Sequence, residues 1–341
     1  MQIRRLDISD SNAIEQYISL RRSIFAEKWW DRFTPNWEVE RRQLLYPQPA
    51  EVHITELGWQ DGAVVGGLEL SLTTKENLHH ANGKIFVHPE YVRSETRASL
   101  LDRLIELTAE HDRTQVSVMV HKPLEGHDPA DEVEEEFFRS RGFELALELV
   151  DQEAAIDFLE KSAEETIYTE ARAAAAGYEI ASWIGAVPEE YLQALVELDR
   201  MTMSQVPLGK LELEDEDMDT ERRRAFDVSL EKVGLTLCQT VARHQASGQV
   251  VANTVVAVQP PPSDFGSQWI TIVAPGHRGH RLGTLVKLAN LRQLRVKAPH
   301  VRRLHTENAL VNQHMNAINR QIGFVPFQTG REYLLRPANQ A

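Results

Sequence analysis

Residues Trp269–Thr284 read WITIVAPGHRGHRLGT, and the succession of residue types within them decides the fold. An apolar, β-branched run suited to a strand ends at Pro275. A turn carrying Gly276 and Gly279 comes next. A helix then starts near Arg281, with Leu282, Leu285, Val286 and Ala289 spaced along one helical face. A strand that turns tightly into a helix offers the unpaired N–H groups and the positive dipole end of that helix to whatever lies above the turn. Gly279 and Gly283 remove side chains there, and Arg278 adds a charge. Together these features make a cradle for a pyrophosphate. A glycine-containing turn before a helix also occurs where no ligand binds, so the segment gains meaning from its surroundings.

Working outward, the same order of elements appears twice. Each half opens with a short strand, Gln2–Leu6 and Tyr178–Trp183. Each continues through helical stretches to a hairpin. The first hairpin is His53–Leu57 and Ala63–Leu72 around Gln60-Asp61-Gly62, and the second is Thr236–Arg243 and Gln249–Val258 around Ala246-Ser247-Gly248. A strand ending in Val-x-Pro comes next, Val87-His88-Pro89 and Val273-Ala274-Pro275. The separation of Gly62 from Gly248 equals that of Pro89 from Pro275. An amphipathic helix succeeds each proline, with Leu101, Leu104, Ile105 and Thr108 marking the first. Then come a strand (Gln115–Val120; Arg302–Thr306), a helix, a Gly-Phe pair (Gly142-Phe143; Gly323-Phe324) and a last strand. This is an internal duplication. Asp157–Ala176, rich in Ala and Glu, reads as a connecting helix, with the boundary near Ala176-Gly177.

Composition narrows the function. The chain has 341 residues, 42% of them hydrophobic and 26% charged, enough for two domains with cores of their own. A net charge of −14 argues against nucleic acid and suits a cationic partner such as an amine. No stretch approaches the roughly 20 apolar residues of a membrane span, and the start MQIRRLDISD lacks a signal-type apolar core. Cys238, the single cysteine, excludes an internal disulfide and a cysteine-built zinc site. A cytoplasmic protein, monomer or homodimer, without a metal, is the expectation.

The cradle and the segments beyond it resemble the GNAT acetyltransferase superfamily. That family's signature, Arg/Gln-x-x-Gly-x-Gly/Ala after a Val-x-Pro strand, is met by Arg278-Gly279-His280-Arg281-Leu282-Gly283. The departure is Arg281 in place of glycine, where a backbone N–H still serves if φ is helical. Thr306-Glu307-Asn308, Asn312, Met315 and Gly323-Phe324 continue the likeness, which is close over Tyr178–Leu335 and loose over the first half. The tandem arrangement is similar to that of the mycothiol synthases. The resemblance implies an α/β (α+β) protein of two GNAT-like domains, each a mixed, mostly antiparallel sheet flanked by helices. Residues 1–155 form the first domain, 156–177 a connecting helix and 178–341 the second. It further implies acetyl-CoA as co-substrate in the second domain. Ile272, Val273 and Ala274 meet pantetheine and acetyl. The backbone of Arg278, Gly279, His280, Arg281, Leu282, Gly283 and Thr284 meets pyrophosphate, while Asn308, Asn312 and Asn319 meet the CoA arm. The first half fails the same test: its cradle reads Val92-Arg93-Ser94-Glu95-Thr96-Arg97, with no glycine and a carboxylate where pyrophosphate would sit.

Acetyl transfer needs an unprotonated nitrogen and a proton for the leaving thiolate. Many GNAT members place a tyrosine four residues before Gly-Phe as that acid; here Asn319 stands there. Many carry a glutamate base on the strand of Val273, where this chain has Ser267, Gln268 and Thr271. Asp264 and Glu307 are the nearest acids in sequence, and Glu307 and Tyr333 are the catalytic candidates. His277, His280, His305 and His314 match no zinc spacing. The resemblance implies that Met201–Pro207 lies where early helices roof an acceptor, the alternative being a helix end before a proline, and Glu212, Glu214 and Asp215 nearby suit a cationic amine. The leading reading is an N-acetyltransferase acting on a small-molecule amine by direct transfer in a ternary complex. A protein or peptide N-acetyltransferase and a non-catalytic acyl-CoA sensor are the alternatives.

Overall fold

The computed structural model describes residues 1–28, 34–92, 94–124 and 129–336. In chain order, the first half holds β1 (Gln2–Arg5), α1 (Ser11–Lys28), α2 (Trp37–Leu45), β2 (Glu51–Gln60), β3 (Ala63–Thr73), β4 (His80–Val87), α3 (Ser94–Glu110), β5 (Gln115–Pro123), α4 (Pro129–Ser140) and β6 (Glu144–Ala155). The connecting helix α5 spans Lys161–Ala174. The second half holds β7 (Tyr178–Ile184), α6 (Glu189–Asp199), α7 (Thr220–Val233), β8 (Thr236–His244), β9 (Val250–Val258), β10 (Phe265–Val273), α8 (Leu282–Lys297), β11 (Arg303–Ala309), α9 (Gln313–Gln321) and β12 (Val325–Leu335). No helix among the described residues is long and apolar enough to cross a membrane.

Local chemistry sets the elements. Asp61 and Gly62 both take positive φ, 52° and 82°, the backbone a two-residue hairpin turn requires between β2 and β3. Strand β9, VVANTVVAV, is buried at every position because helices cover both of its faces. Helix α7 starts on an Asp219 cap that accepts from the Arg222 N–H and stops at Gly234 in the left-handed conformation.

The duplication is visible in the sheet, but the sheet does not divide where the sequence repeat does. The twelve strands of the described residues join in the order β1-β2-β3-β4-β5-β12-β6-β11-β10-β9-β8-β7. Each half supplies five consecutive strands to one end, with a parallel pair at β4–β5 and at β10–β11. The last strands are exchanged. β12 pairs with β5 and β6, both from the first half, and β6 pairs with β11 of the second. Exchange covers what would otherwise be an open edge on each half-sheet. The cores obey the same exchange: Tyr333 of β12 packs among Leu101, Leu104, Val116 and Val118, while Ala154 and Ile156 pack among Leu288, Leu304 and Phe324.

Candidate functional site

The site begins where two strands part. β10 and β11 run side by side from Phe265↔Arg303 to Gln268↔Thr306 and share no further rung. β10 itself continues, paired to β9, as far as Val273↔Ala252. The edge of Ile270–Val273 that faces β11 is therefore left without a strand partner, and a slot opens toward Ala274. A bulge on β10 between Gln268 and Ile270 sits at the apex. Gln268 locks it, its buried amide donating to the carbonyls of Val255 (2.7 Å) and Ile270 (2.9 Å).

Beyond Ala274 a 3-10 turn, Pro275–His277, leads into the cradle. Gly279 has φ +86°, and a Cβ there would have nothing within 4 Å, so it supplies turn geometry beside open space. Arg281 caps α8 at φ +52° in the left-handed region and makes no side-chain cap bond. This corrects the expectation of a helical φ there: the position calls for glycine, and arginine occupies it at a conformational cost. Its guanidinium reaches instead to Glu170 on α5, 2.7 Å away. The N–H groups of Leu282, Gly283 and Thr284 thus open the helix without a side-chain cap and with no acid in the first turn, the arrangement that receives an anion. All three residues are buried. A Cβ at Gly283 would sit 3.2 Å from Ile318 of α9, so that glycine also serves the packing of α8 on α9. Arg278 lies across the turn, donating to Gln205 at 2.8 Å.

The histidines that look crowded in sequence separate in space. His277 and His280 pack on Tyr178 at the base of the cradle, with His244 beside them. The Tyr178 hydroxyl lies 3.0 Å from His277 Nδ1. Partial burial, with help from His244 and His280, lowers the His277 pKa. His314 begins α9 on the surface, and His305 belongs to another group on β11.

The remaining candidates divide sharply. Asn312 spends its side-chain oxygen capping α9 through the Met315 N–H (3.2 Å). Asn308 is half-buried beside Thr306. Asn319 is fully buried and accepts from Lys287 Nζ at 2.7 Å, while its Nδ2 has no partner. Tyr333 is not brought to the slot. Strand exchange carries it into the first-half core, fully buried, with its hydroxyl donating to Glu135 at 3.0 Å. Asp264 lies at the closed end of β10, 3.6 Å from Arg303.

Glu307 is the first residue of β11 past the last rung. Leu304 faces the α8 core, so alternation turns His305 and Glu307 to the opposite face, where Ile270 and Ile272 pack under α6 and α7. There Glu307 meets two residues of the first half, His121 of β5 and Asp151 of β6. Ligand atoms of the three lie within 4.8 Å of one another, close enough to share a cation. Asp151 is buried, held by His305 Nε2 at 2.9 Å and by the Gln328 amide at 2.7 Å. Glu332 of β12 adds a carboxyl that burial pushes above its usual range, with Glu307 adding to the effect. Sequence reading misses His121 and Asp151 because only the exchanged strands bring them here. By contrast, the acids that stand out in the sequence are occupied as tethers: Glu214 accepts from the Asn77 N–H, Asp215 from the Ser204 N–H, and Glu212 pairs with Arg336. In the first half, Glu95 stands exposed in the first turn of α3; Arg93 lies outside the described residues.

No family model and no curated protein sequence matches the chain. Solved structures do. A tandem GNAT protein from the clavulanic acid biosynthesis pathway superposes with a TM-score of 0.81 at 24% identity, covering 100% of this chain and 99% of its own. A GCN5-related N-acetyltransferase from Sphaerobacter thermophilus gives 0.65 at 13%, covering 100% and 97%. A glucosamine N-acetyltransferase region of a fungal multi-domain β-N-acetylglucosaminidase gives 0.67 at 12%, covering 98% of this chain and 38% of that one. Likeness of that extent over the whole chain, with a parted strand pair leading to an uncapped helix in the second half, gives this protein the tandem GNAT acetyltransferase fold.

Proposed function

We propose that the chain moves an acetyl group from acetyl-CoA to the amine of a small molecule, directly, within a ternary complex in the second half. The observation that carries this is the parting of β10 and β11 at Gln268–Thr306 on a line with the bare N-terminus of α8. An extended thioester arm fits the unpaired edge of Ile270–Val273, and its pyrophosphate fits the N–H groups just past Arg281. The tandem protein of the clavulanic acid pathway, alike from end to end, supports a small-molecule setting.

The acceptor approaches on the opposite face, where His121, Asp151 and Glu307 meet. Two carboxylates gathered around histidine attract an ammonium group and hold it by the slot. Glu307, partly exposed, receives the proton that frees the nitrogen for attack. Positioning of the two reactants supplies much of the remaining acceleration. The sensor reading draws on one observation, the burial of Tyr333 away from the slot.

A panel of primary amines, assayed for CoA release with a thiol reagent, tests the proposal. Background is low because Cys238 is buried and its thiol pKa is pushed up to about 12. Turnover on at least one amine, lowered about 100-fold or more by Glu307→Gln with acetyl-CoA affinity unchanged, is expected. Tight acetyl-CoA binding with no turnover on any amine supports the sensor instead. An activity that appears only with added divalent metal reassigns the His121 group to a metal.

A further inference from the structure

Lys287 lies on α8, one turn beyond Gly283, and only 4% of it is exposed. Nζ donates to Asn319 Oδ1 on α9 at 2.7 Å and stands 5.3 Å from the centre of the Phe324 ring. No carboxylate pairs with it among the described residues. It borders a cavity with Ala154, Val256, Gln268, Leu304 and Phe324. Gln268 is also the last β10 residue to share a rung with β11, so this cavity abuts the apex of the slot. The amide beside the lysine is unusual as well: Asn319 is fully buried, yet its Nδ2 has no partner. Buried polar groups are nearly always paired, and an orphaned donor beside a lone buried cation marks a place prepared for an electron-rich atom.

We propose that Lys287 is the proton donor to the leaving thiolate, with Asn319 offering its free N–H to the same sulfur. The assignment rests on acetyl transfer taking place in the β10–β11 slot. When the tetrahedral intermediate collapses, the C–S bond breaks and its electron pair stays on sulfur. A proton passes from Lys287 Nζ to that sulfur, leaving a neutral amine. The proton shed by the acceptor nitrogen returns to Nζ through solvent, so the cycle closes without another reactant.

The chemistry is matched. Burial pushes the Lys287 pKa down to about 7. The faces turned to it are the Asn319 and Gln268 amides, the Phe324 ring and aliphatic side chains from β6, β9 and β11, so burial is not offset by charge. An unperturbed cysteine thiol titrates near 8.5, so transfer from this ammonium to a thiolate runs downhill. The roles of the two residues differ: the amide orients the sulfur and does not titrate, whereas the lysine supplies the proton.

The test reads the sulfur itself. Bound CoA is titrated by ultraviolet thiolate absorbance in the wild type, Lys287→Met and Asn319→Ala, each checked by circular dichroism. A cation and an N–H beside the sulfur should lower the bound thiol pKa by about one unit relative to free CoA, which leaves it above that of Lys287, and Lys287→Met should remove most of that shift. With a competent amine, Lys287→Met should lower kcat about 100-fold and abolish the ionisation near neutral pH. The deficit should shrink when the donor is an acetyl thioester of an acidic aryl thiol, which leaves without a proton. An unshifted thiol in wild-type protein overturns the proposal and needs no variant. Equal deficits with both donors, or an unchanged pH profile, overturn it too. A shifted thiol in a protein that acetylates no amine retains Lys287 beside the sulfur and retires the transferase reading.

Discussion

The Thr306 hydroxyl donates to the Gln268 carbonyl at 3.2 Å, and past this pair β10 and β11 separate. The bond fastens the closed end of the slot from the α8 side, just where Gln268 folds its amide back onto the β10 bulge. The opening angle is thus fixed by side chains at the apex while the cradle stands at the far end. β4 and β5 repeat the parallel pairing, from His80↔Gln115 to Gly83↔Val118, but lead to a helix whose first turn holds Glu95. The first half thus repeats the short parallel pairing but sets a carboxylate where the second half has an uncapped helix start without an acid.

We therefore expect one acetyl-CoA per chain, measured by titration calorimetry. Gly279→Glu should weaken binding at least about 100-fold, because it adds a carboxylate to the open cradle and forces a side chain into φ +86°. Glu95→Gln should leave affinity unchanged. Two equivalent sites per chain would show that the first half still binds it.

Arg281 gives a second expectation, about stability. Holding a side chain in the left-handed region costs roughly 1 kcal/mol, and its exposed pair with Glu170 returns roughly 0–1 kcal/mol. Arg281→Gly relieves the first term and loses the second, so it should match or exceed the wild type in urea unfolding. Arg281→Ala keeps the strain and loses the pair, and should be less stable than the glycine variant. The reverse order would mean that strain at φ +52° is smaller than the freedom glycine adds to the unfolded chain.

Much of this is legible in the sequence, and the rest is hidden for physical reasons. Asp61-Gly62 fixes a hairpin because few residues tolerate two positive φ values, and the Pro275-to-Leu282 passage dictates a strand, a turn and a helix. Strand exchange leaves no such local signature: β6 and β12 are both long and alternating, and either can lie beside β5. Sequence order alone consequently assigns Tyr333 to the wrong half. His121 and Asp151 escape notice for the same reason, being remote in sequence from Glu307. The φ of Arg281 is masked by its side chain, although a glycine at that place in the signature hints at it. Lys287 resembles an exposed helical lysine because it lies off the apolar stripe of Leu282, Leu285, Val286 and Ala289, and only packing shows that every residue from Leu282 to Leu288 is buried.

A buried ion pair joins the halves on the other side of the sheet. Arg222 of α7 holds Glu76, in the β3–β4 loop, through two bonds of 2.8 and 2.9 Å, with both side chains under 10% exposed. Hydrogen bonding to Arg222 is the main cause that lowers the Glu76 pKa. A carboxyl whose folded pKa is depressed stabilises the fold above its unfolded pKa, about 4.3, and loses that contribution as pH falls through the folded value. Glu76→Gln should therefore destabilise the chain at pH 7 and flatten its acid unfolding curve between about pH 4 and the lower folded pKa. Arg222→Ala, which strands a buried carboxylate, should cost more, on the order of 3–5 kcal/mol. Equal stability of all three proteins at pH 7 would show that the pair contributes nothing net.

The exchange of last strands yields the sharpest expectation. Both neighbours of β12, β5 and β6, come from the first half, and β11 also leans on β6. A fragment of residues 176–341 therefore leaves β12 with no strand to pair with and bares an edge of β11. It also removes Ala154 and Ile156 from the core around Leu288 and Phe324. Exposed edges and apolar surface of that kind favour aggregation. A fragment of residues 144–341 restores β6, and with it the β11–β6 and β6–β12 ladders and the connecting helix α5. We expect the shorter fragment to be insoluble or unable to bind acetyl-CoA, and the longer one to be the more soluble and to recover part of the affinity. Neither should regain full turnover, because His121 on β5 is missing from both. Acetyl-CoA affinity and amine turnover measured on the two fragments and the full chain decide the matter. Full affinity in residues 176–341 would mean that β12 can turn back onto its own half, and that the exchange is not required for the site.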